Sequence, residues 1–385
     1  MSKLDFPPAE FDLRRRRLAE ALESARLDWL IVIHPVSIHW LTGSEAKGYQ
    51  AFQCLIVGSD GRPGVMLGRG SEEAELRADA LIDDLRLWGG PEPEDPIEVF
   101  ARLSEELGLT RARVGLEVPS FYLHPHHYVR LKAVLGEALV SEPTDLVTEL
   151  RLVKSKREIA YLRKAAAIAD GSCARLQGAL AAGRSELEVA AEIMHEILSS
   201  GGGIGVSPIN LVSGERASYS HGAPTERRLR PGDFGNAEYP VPYRRYTVTI
   251  GRQFSIGAPT QRMRALYDIV RNASDAAFAE IRDGVAAVRP HEAAKRVIAE
   301  AGLDRSRVHT SGYGLAPGMP PAAGEPFHLF GGSRGILKAG MVLSVCPPVF
   351  IAEESLGARI VDTVLVTEAG AERLCRASRD LIVAD

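Results

Sequence analysis

The stretch GDFGNAEYPVPYRRYTVTIGRQFSIG, Gly232 to Gly257, decides how the C-terminal half of this chain is read. β-Branched and aromatic residues flank a proline-containing turn at Pro240 and Pro242. The sequence therefore predicts two antiparallel strands, Phe234 to Tyr239 and Arg245 to Phe254. Glu238 stands at the end of the first strand. Arg244, Arg245, Tyr246 and Arg252 follow on the second, at spacings that let polar groups converge beside that carboxylate. For an isolated strand pair, arginines facing water are the default reading, so what surrounds the hairpin has to decide whether it forms a site.

On the N-terminal side, Lys156 to Asp170 carries Ile159, Leu162, Ala166 and Ala169 at helical spacing. Ser185 and Glu188 make a capping box for a second helix, expected to bury Leu187, Ala191, Met194 and Leu198. His195 and Glu196 lie in that helix, but position 199 is serine, so the zinc signature HExxH is absent. Gly201 to Gly205 lacks the GKS or GKT ending of a phosphate-binding loop and reads as a flexible turn. On the C-terminal side, helices over about Thr260 to Asp283 and Pro290 to Ala301 precede short strands from Val308 onward. Helices in blocks and strands in blocks make this half α+β.

The first half alternates instead. DWLIVIHP, Asp28 to Pro35, reads as a buried strand, and HWLTGS, His39 to Ser44, as a turn. Strands follow over Phe52 to Gly58 and Gly64 to Leu67, then helices near Pro96 to Leu107 and Pro119 to Leu135 around a short Val114 to Leu116 strand. This is an α/β domain, with the boundary at about Ser155 dividing the chain into 1–154 and 155–385. His124, His126 and His127 have a proline among them and no Cys or acidic neighbour, so they read as a surface loop or helix start.

At 385 residues, with 45% hydrophobic and 25% charged residues, the chain fits two globular domains. A net charge of −4 lacks the basic excess of nucleic-acid or anionic-membrane binders. The arginine run Arg14 to Arg17 reads as the wet face of a helix that buries Leu18 and Leu22. No apolar run reaches the roughly 20 residues needed to span a bilayer, and the N-terminal stretch lacks a leader pattern, so a cytoplasmic location is expected. Cys54, Cys173, Cys346 and Cys375 are far apart and read as buried small hydrophobes.

Several stretches together resemble the creatinase, prolidase and aminopeptidase P family. They are ELRLVKSKREIAYLRKAAAIAD (Glu149 to Asp170), HWLTGS, SGERASYSH (Ser213 to His221) and the closing LKAGMVLSVCPPVF…GARIVDTVLVTEAGAERL. The resemblance covers nearly the whole chain and implies an α/β N-terminal domain followed by an α+β pita-bread domain. The family's metallopeptidases hold two metal ions with two aspartates, a histidine and two glutamates. By the resemblance those positions fall on Glu238, Thr249, Ser311, Cys346 and Val361. Thr, Ser and Val do not supply the converging donors a divalent ion needs, so no metal and no other cofactor is expected. Glu238, Arg245, Tyr246 and Arg252, with HTSGYG and then Pro320, Pro321, Gly324 and Glu325, are similar to the metal-free ectoine hydrolase and creatinase branch. Ala322 and Ala323 depart from ectoine hydrolase, where Asp and Trp precede Gly-Glu.

The resemblance implies hydrolysis of a C–N bond in a small polar nitrogen compound. His221 would transfer protons, since its ordinary pKa lies near neutrality. Glu238 would activate water, attack as a nucleophile or bind a cationic group, and Glu325 would be a second acid or an ammonium clamp. Arg252 and Arg245 would clamp a carboxylate and Tyr246 would donate to developing charge, with Ser311 and Cys346 shaping the pocket. The alternatives are an Xaa-Pro aminopeptidase or dipeptidase with an altered site, and a catalytically silent binding protein. A homodimer is implied by the resemblance alone.

Overall fold

A computed structural model describes residues 6–119 and 121–385. Residues 1–5, on which the expectation about a leader falls, lie outside the described residues, as does Ser120 within the helix expected over 119–135. The chain divides into two compact units, one up to Arg151 and the other from Leu152 to Asp385. Among the described residues no helix is long and apolar enough to cross a membrane.

The first unit is a six-stranded mixed sheet, in spatial order Asp84–Trp88, Val65–Arg69, Cys54–Gly58, Trp29–Val32, Val114–Leu116 and Leu139–Ser141. Its two cores lie around Ile31, Ile56, Phe100 and Leu116, and around Leu22, Leu30, Val32 and Trp40. One expectation fails here. HWLTGS is not a turn but the end of a helix, Pro35–Thr42, opened by Pro35 and the His34 side chain and closed by Gly43 at φ 82°. The proline that ends the strand is also the first residue of the helix, where its missing N–H costs nothing. His124 caps the helix Pro125–Leu135 in the same way, and Pro119 and residues 121–123 stay outside it. All four cysteines are free and buried.

The second unit has two long helices first, α1 (Lys156–Ala179) and α2 (Glu186–Ser199), each with a complete capping box, from Ser155 and Ser185. Apart from a separate short pair, Val349–Ile351 with Leu356–Ala358, its strands are β1 (Asn210–Ser213), β2 (Phe234–Tyr243), β3 (Tyr246–Ile256), β4 (Gly312–Met319), β5 (Ala322–Leu329), β6 (Val342–Val345), β7 (Asp362–Val366), β8 (Ala371–Arg373) and β9 (Ile382–Ala384). They form one sheet in the order β8-β7-β6-β4-β3-β2-β1, with β5 added to β4 and β9 to β3. Helices α3 (Gln261–Glu280) and α4 (Val288–Glu300) fall between β3 and β4. Leu266, Val270, Ile298, Leu343 and Val364 share their core.

The face α2 buries also differs from expectation. Glu186, Val189, Ala190, Ile193 and Ile197 point inward, while Leu187 and Leu198 are exposed. The helix carries two apolar stripes, and the inward one is the one that brings a carboxylate with it.

Candidate active site

The hairpin is longer than its prolines suggest, and its turn lies elsewhere. β2 runs through Pro240 and Pro242 to Tyr243, and Arg244 and Arg245, at φ 48° and 69°, form the two-residue turn. The prolines fit because β1 pairs β2 only as far as Glu238. Beyond that point their missing N–H groups face no strand, and the Pro242 carbonyl takes the Gly203 N–H at 3.0 Å. The glycine run expected to be a flexible turn is therefore a packed one: a Cβ on Gly205 would lie 2.7 Å from Pro240 Cγ.

This turn sets the register, and the register sorts the side chains. Glu238 pairs with Gly251 and Pro240 with Thr249, whereas Ala237 pairs with Arg252. Cross-strand partners share a face, so Glu238 and Thr249 lie on one side and Arg252 and Tyr246 on the other. On the first side a cavity of about 330 Å³ is lined by Ser207, Asn210, His221, Glu238, Pro240, Thr249 and Tyr313.

Glu238 is half-buried in its wall. Its carboxylate pairs with the Arg359 guanidinium, and the same oxygen accepts Asn210 Nδ2 at 3.2 Å from the strand position directly opposite. Arg359, 3% exposed, is spoken for on all sides. Its Nη2 donates to the Ser220 carbonyl at 2.5 Å, its guanidinium lies 5.1 Å over the Phe350 ring, and its N–H donates to Gln253 Oε1.

His221 reaches the cavity from the loop between β1 and β2, and that loop is tied down by charged hydrogen bonds. The fully buried Glu186 on α2 accepts Ser213 Oγ at 2.7 Å, the Arg216 guanidinium, and Thr225 through its N–H at 3.0 Å and its hydroxyl at 2.8 Å. Arg227 braces the same loop against Asp233 and Glu215. Burial first, then the Arg359 charge, lowers the His221 pKa below its ordinary 6.5, while Glu238 pulls the other way. At pH 7 the imidazole is neutral. The His309 ring lies 6.0 Å away, its Nδ1 2.9 Å from the Thr310 carbonyl. Tyr313, next along at 6.4 Å, has its hydroxyl pushed above the usual tyrosine range by burial and stays protonated.

Of the residues expected from sequence, His221, Glu238 and Thr249 meet at this cavity, and Cys346 lies behind it, 3.9 Å from His309 Nδ1. Burial, then the Glu238 charge, pushes the Cys346 thiol up to about 12, so it stays a thiol at neutral pH. The others lie elsewhere. Arg252, 1% exposed, pairs with Asp362 at 2.9 Å and donates to the Val361 and Ser378 carbonyls. Tyr246 donates to Glu158 on α1 at 2.8 Å, and Arg245 sits in the hairpin turn. Glu325 is buried with Lys154 Nζ at 3.5 Å. Ser311 is fully buried against His291 Nδ1 at 2.9 Å, whereas Tyr313, between Gly312 and Gly314 as the histidine of a GHG loop would be, faces the cavity. The position expected at Ser311 thus belongs two residues later. Arg359, Asn210, His309 and Tyr313 are site residues that the sequence reading does not reach. The signal for Arg359 is its place two residues before Val361, which the resemblance sets on a ligand position, and for Tyr313 the flanking glycines.

A two-metal centre does not fit these residues. Val361 bridges Gly251, where a Cβ would lie 2.6 Å from its Cγ2, and Thr249 Oγ1 is turned to Ser344 Oγ at 2.7 Å. With Glu238 held by Arg359 and Cys346 buried behind the cavity rather than lining it, the converging donors are missing. Among the described residues no group of three or more His, Cys, Asp or Glu is placed to hold a metal ion.

Compared with known proteins, residues 160–368 match the profile of metallopeptidase family M24, and residues 14–153 that of the creatinase/prolidase N-terminal domain. The chain is 32% identical to the probable dipeptidase PepE of Mycobacterium tuberculosis over 383 residues, covering 97% of each chain. It is 26% identical to the Xaa-Pro dipeptidase of Pyrococcus furiosus over 369 residues, covering 96% of this chain and 99% of that one. The crystal structure of dipeptidase PepE from Mycobacterium ulcerans superposes with a TM-score of 0.86 at 28% identity, covering 98% of this chain and 99% of that one. With a creatinase-type first unit followed along the chain by a pita-bread second unit, the chain belongs to the M24 family of hydrolases.

Proposed function

We propose that the protein hydrolyses a C–N bond, amide or amidine, in a small nitrogen compound, using the His221 and Glu238 cavity without the metal pair of its family. The observation that carries this reading is a neutral His221 facing a cavity whose metal positions hold Thr249, Cys346 and Val361, and whose remaining carboxylate is held by Arg359. Neutral His221 takes a proton from water as the oxygen adds to the carbonyl or amidine carbon. Protonated Tyr313 offers its hydroxyl to the charge that develops there. As the tetrahedral species collapses, the C–N bond breaks. The leaving nitrogen takes the proton from the imidazolium, directly or through His309. One water is consumed, and an amine and a carbonyl product leave.

The test is turnover of a panel of small amides, cyclic amidines and dipeptides by chelator-treated protein, followed by mass spectrometry. Turnover that survives chelation and falls about a hundredfold or more in His221→Ala is expected. Turnover abolished by chelation and restored by divalent metal would overturn the reading.

A second reading, a metal-dependent dipeptidase with an altered site, is favoured by the 32% identity to a probable dipeptidase over nearly the full chain. It requires cleavage of dipeptides, X-Pro included, that is stimulated by manganese, cobalt or zinc, and no stimulation removes it. We also propose a homodimer, for which light scattering should give twice the 41.6 kDa chain mass. A monomer mass rejects it.

A further inference from the structure

A dipeptide presents a free carboxylate, and a site that selects dipeptides needs a cation to receive it. Among the described residues, those that line the cavity include no lysine or arginine. Arg359 lies beneath Glu238 and is committed to it, to Ser220 and to the Phe350 face. Arg252 faces the other side of the sheet with Asp362, and Arg245 is at the hairpin turn. Neutral His221 adds no positive charge at pH 7. The charge at the cavity wall is that of Glu238, already offset from behind. An ionised carboxylate has about four lone-pair sites, so Glu238 can accept N–H donors beyond Arg359 and Asn210.

We infer that this cavity selects compact amides and amidines that present N–H groups and carry no carboxylate. The inference rests on reading the cavity as the substrate site, and it separates this chain by ligand charge from dipeptide hydrolysis. A carboxylate brought in here would lose its hydration and find, among the described lining residues, no cation to pair with, since Arg359 is already taken by Glu238. At about 330 Å³ the cavity also lies at the small end of ligand sites.

Ligand-observed NMR on the full-length protein, wild type and His221→Ala, tests this with matched probes. These are glycylproline against glycylprolinamide, N-acetylglycine against N-acetylglycinamide, and acetamidine. The amide member of each pair should bind at least about tenfold more tightly. Equal or tighter binding of the carboxylate member, or no binding by any probe, overturns the inference. Glu238→Gln then reverses the charge balance, leaving Arg359 uncompensated, and the gap within each pair should close or invert. An unchanged gap in a folded Glu238→Gln protein overturns the charge assignment. Because binding is measured rather than turnover, a catalytically silent cavity would count against the proposed hydrolysis and leave the selection by charge standing.

Discussion

Two residues on neighbouring strands show how far a side chain's role depends on where the chain turns. Glu238 and Arg252 both read from sequence as site residues, but they occupy opposite faces because the turn is at Arg244 and Arg245 rather than at the prolines. A slip in turn position exchanges the two faces of a strand, and no composition signal distinguishes them. The arginine that does meet Glu238 comes from 121 residues later in the chain. Removing it as Arg359→Met would leave a half-buried carboxylate without its partner. We expect destabilisation of about 3–5 kcal/mol by denaturant titration, against little or no effect of the exposed Arg62→Met. Equal effects of the two would show that the pair is incidental. For His221 the sign follows from its lowered pKa. The folded protein binds fewer protons at this imidazole than the unfolded chain below pH 6.5, and the basic form persists to lower pH than in a free histidine. The acid limb of the rate profile should therefore have its midpoint below 6.5, matched by the His221 ring in an NMR titration. A midpoint at or above 6.5 in both contradicts the assigned environment.

At the scale of elements, the α2 helix and the loop carrying His221 act as one unit. Their link is Glu186, whose burial the sequence hides because α2 has a second apolar stripe, through Leu187 and Leu198, that competes for the inward side. The capping box is legible, since Ser185 and Glu188 are close in sequence and their bonds are local. The choice of stripe is not, because it depends on which neighbours wait across the interface. Glu186→Gln keeps the size of the side chain but cannot offer four acceptor sites to Ser213, Arg216 and Thr225. The Thr225 amide should exchange with solvent at least about tenfold faster, a loss of about 1.4 kcal/mol of local protection, while amides in β6 and β7 keep theirs. Uniform acceleration across both places would mean that Glu186 supports the whole unit rather than the loop. An unchanged Thr225 amide would mean that it supports neither.

At the scale of the molecule, the family is legible because its motifs are long and keep their order along the chain, and because the shift from alternating elements to blocks marks two architectures. What sequence order does not carry is whether replaced ligands leave a weaker metal site or none. Thr249 keeps an oxygen atom that a metal could use, and only its partner, Ser344, shows that atom turned to other work. That difference has a thermodynamic reading for the protein as a whole. A metal that binds the folded chain and not the unfolded one stabilises it by RT ln(1 + [M]/Kd), about 4 kcal/mol at a thousandfold excess over Kd. A resident binuclear centre would therefore lower the melting temperature by several degrees on chelation, and recovery would follow addition of manganese or zinc. The arrangement around Glu238 requires the opposite, because the Arg359 guanidinium already supplies the positive charge that a metal would bring. Scanning calorimetry of full-length protein with and without chelator should give melting temperatures within about 1 °C of each other, and about 1 mM manganese should leave the chelated sample unchanged. A metal-dependent rise of several degrees would place a bound ion in this fold after all and return the altered metallopeptidase to first place. The same scan on Arg359→Met isolates the guanidinium's part. With it gone, Glu238 becomes an unpaired carboxylate, and any metal response confined to that variant would show the arginine standing where the family places its ions.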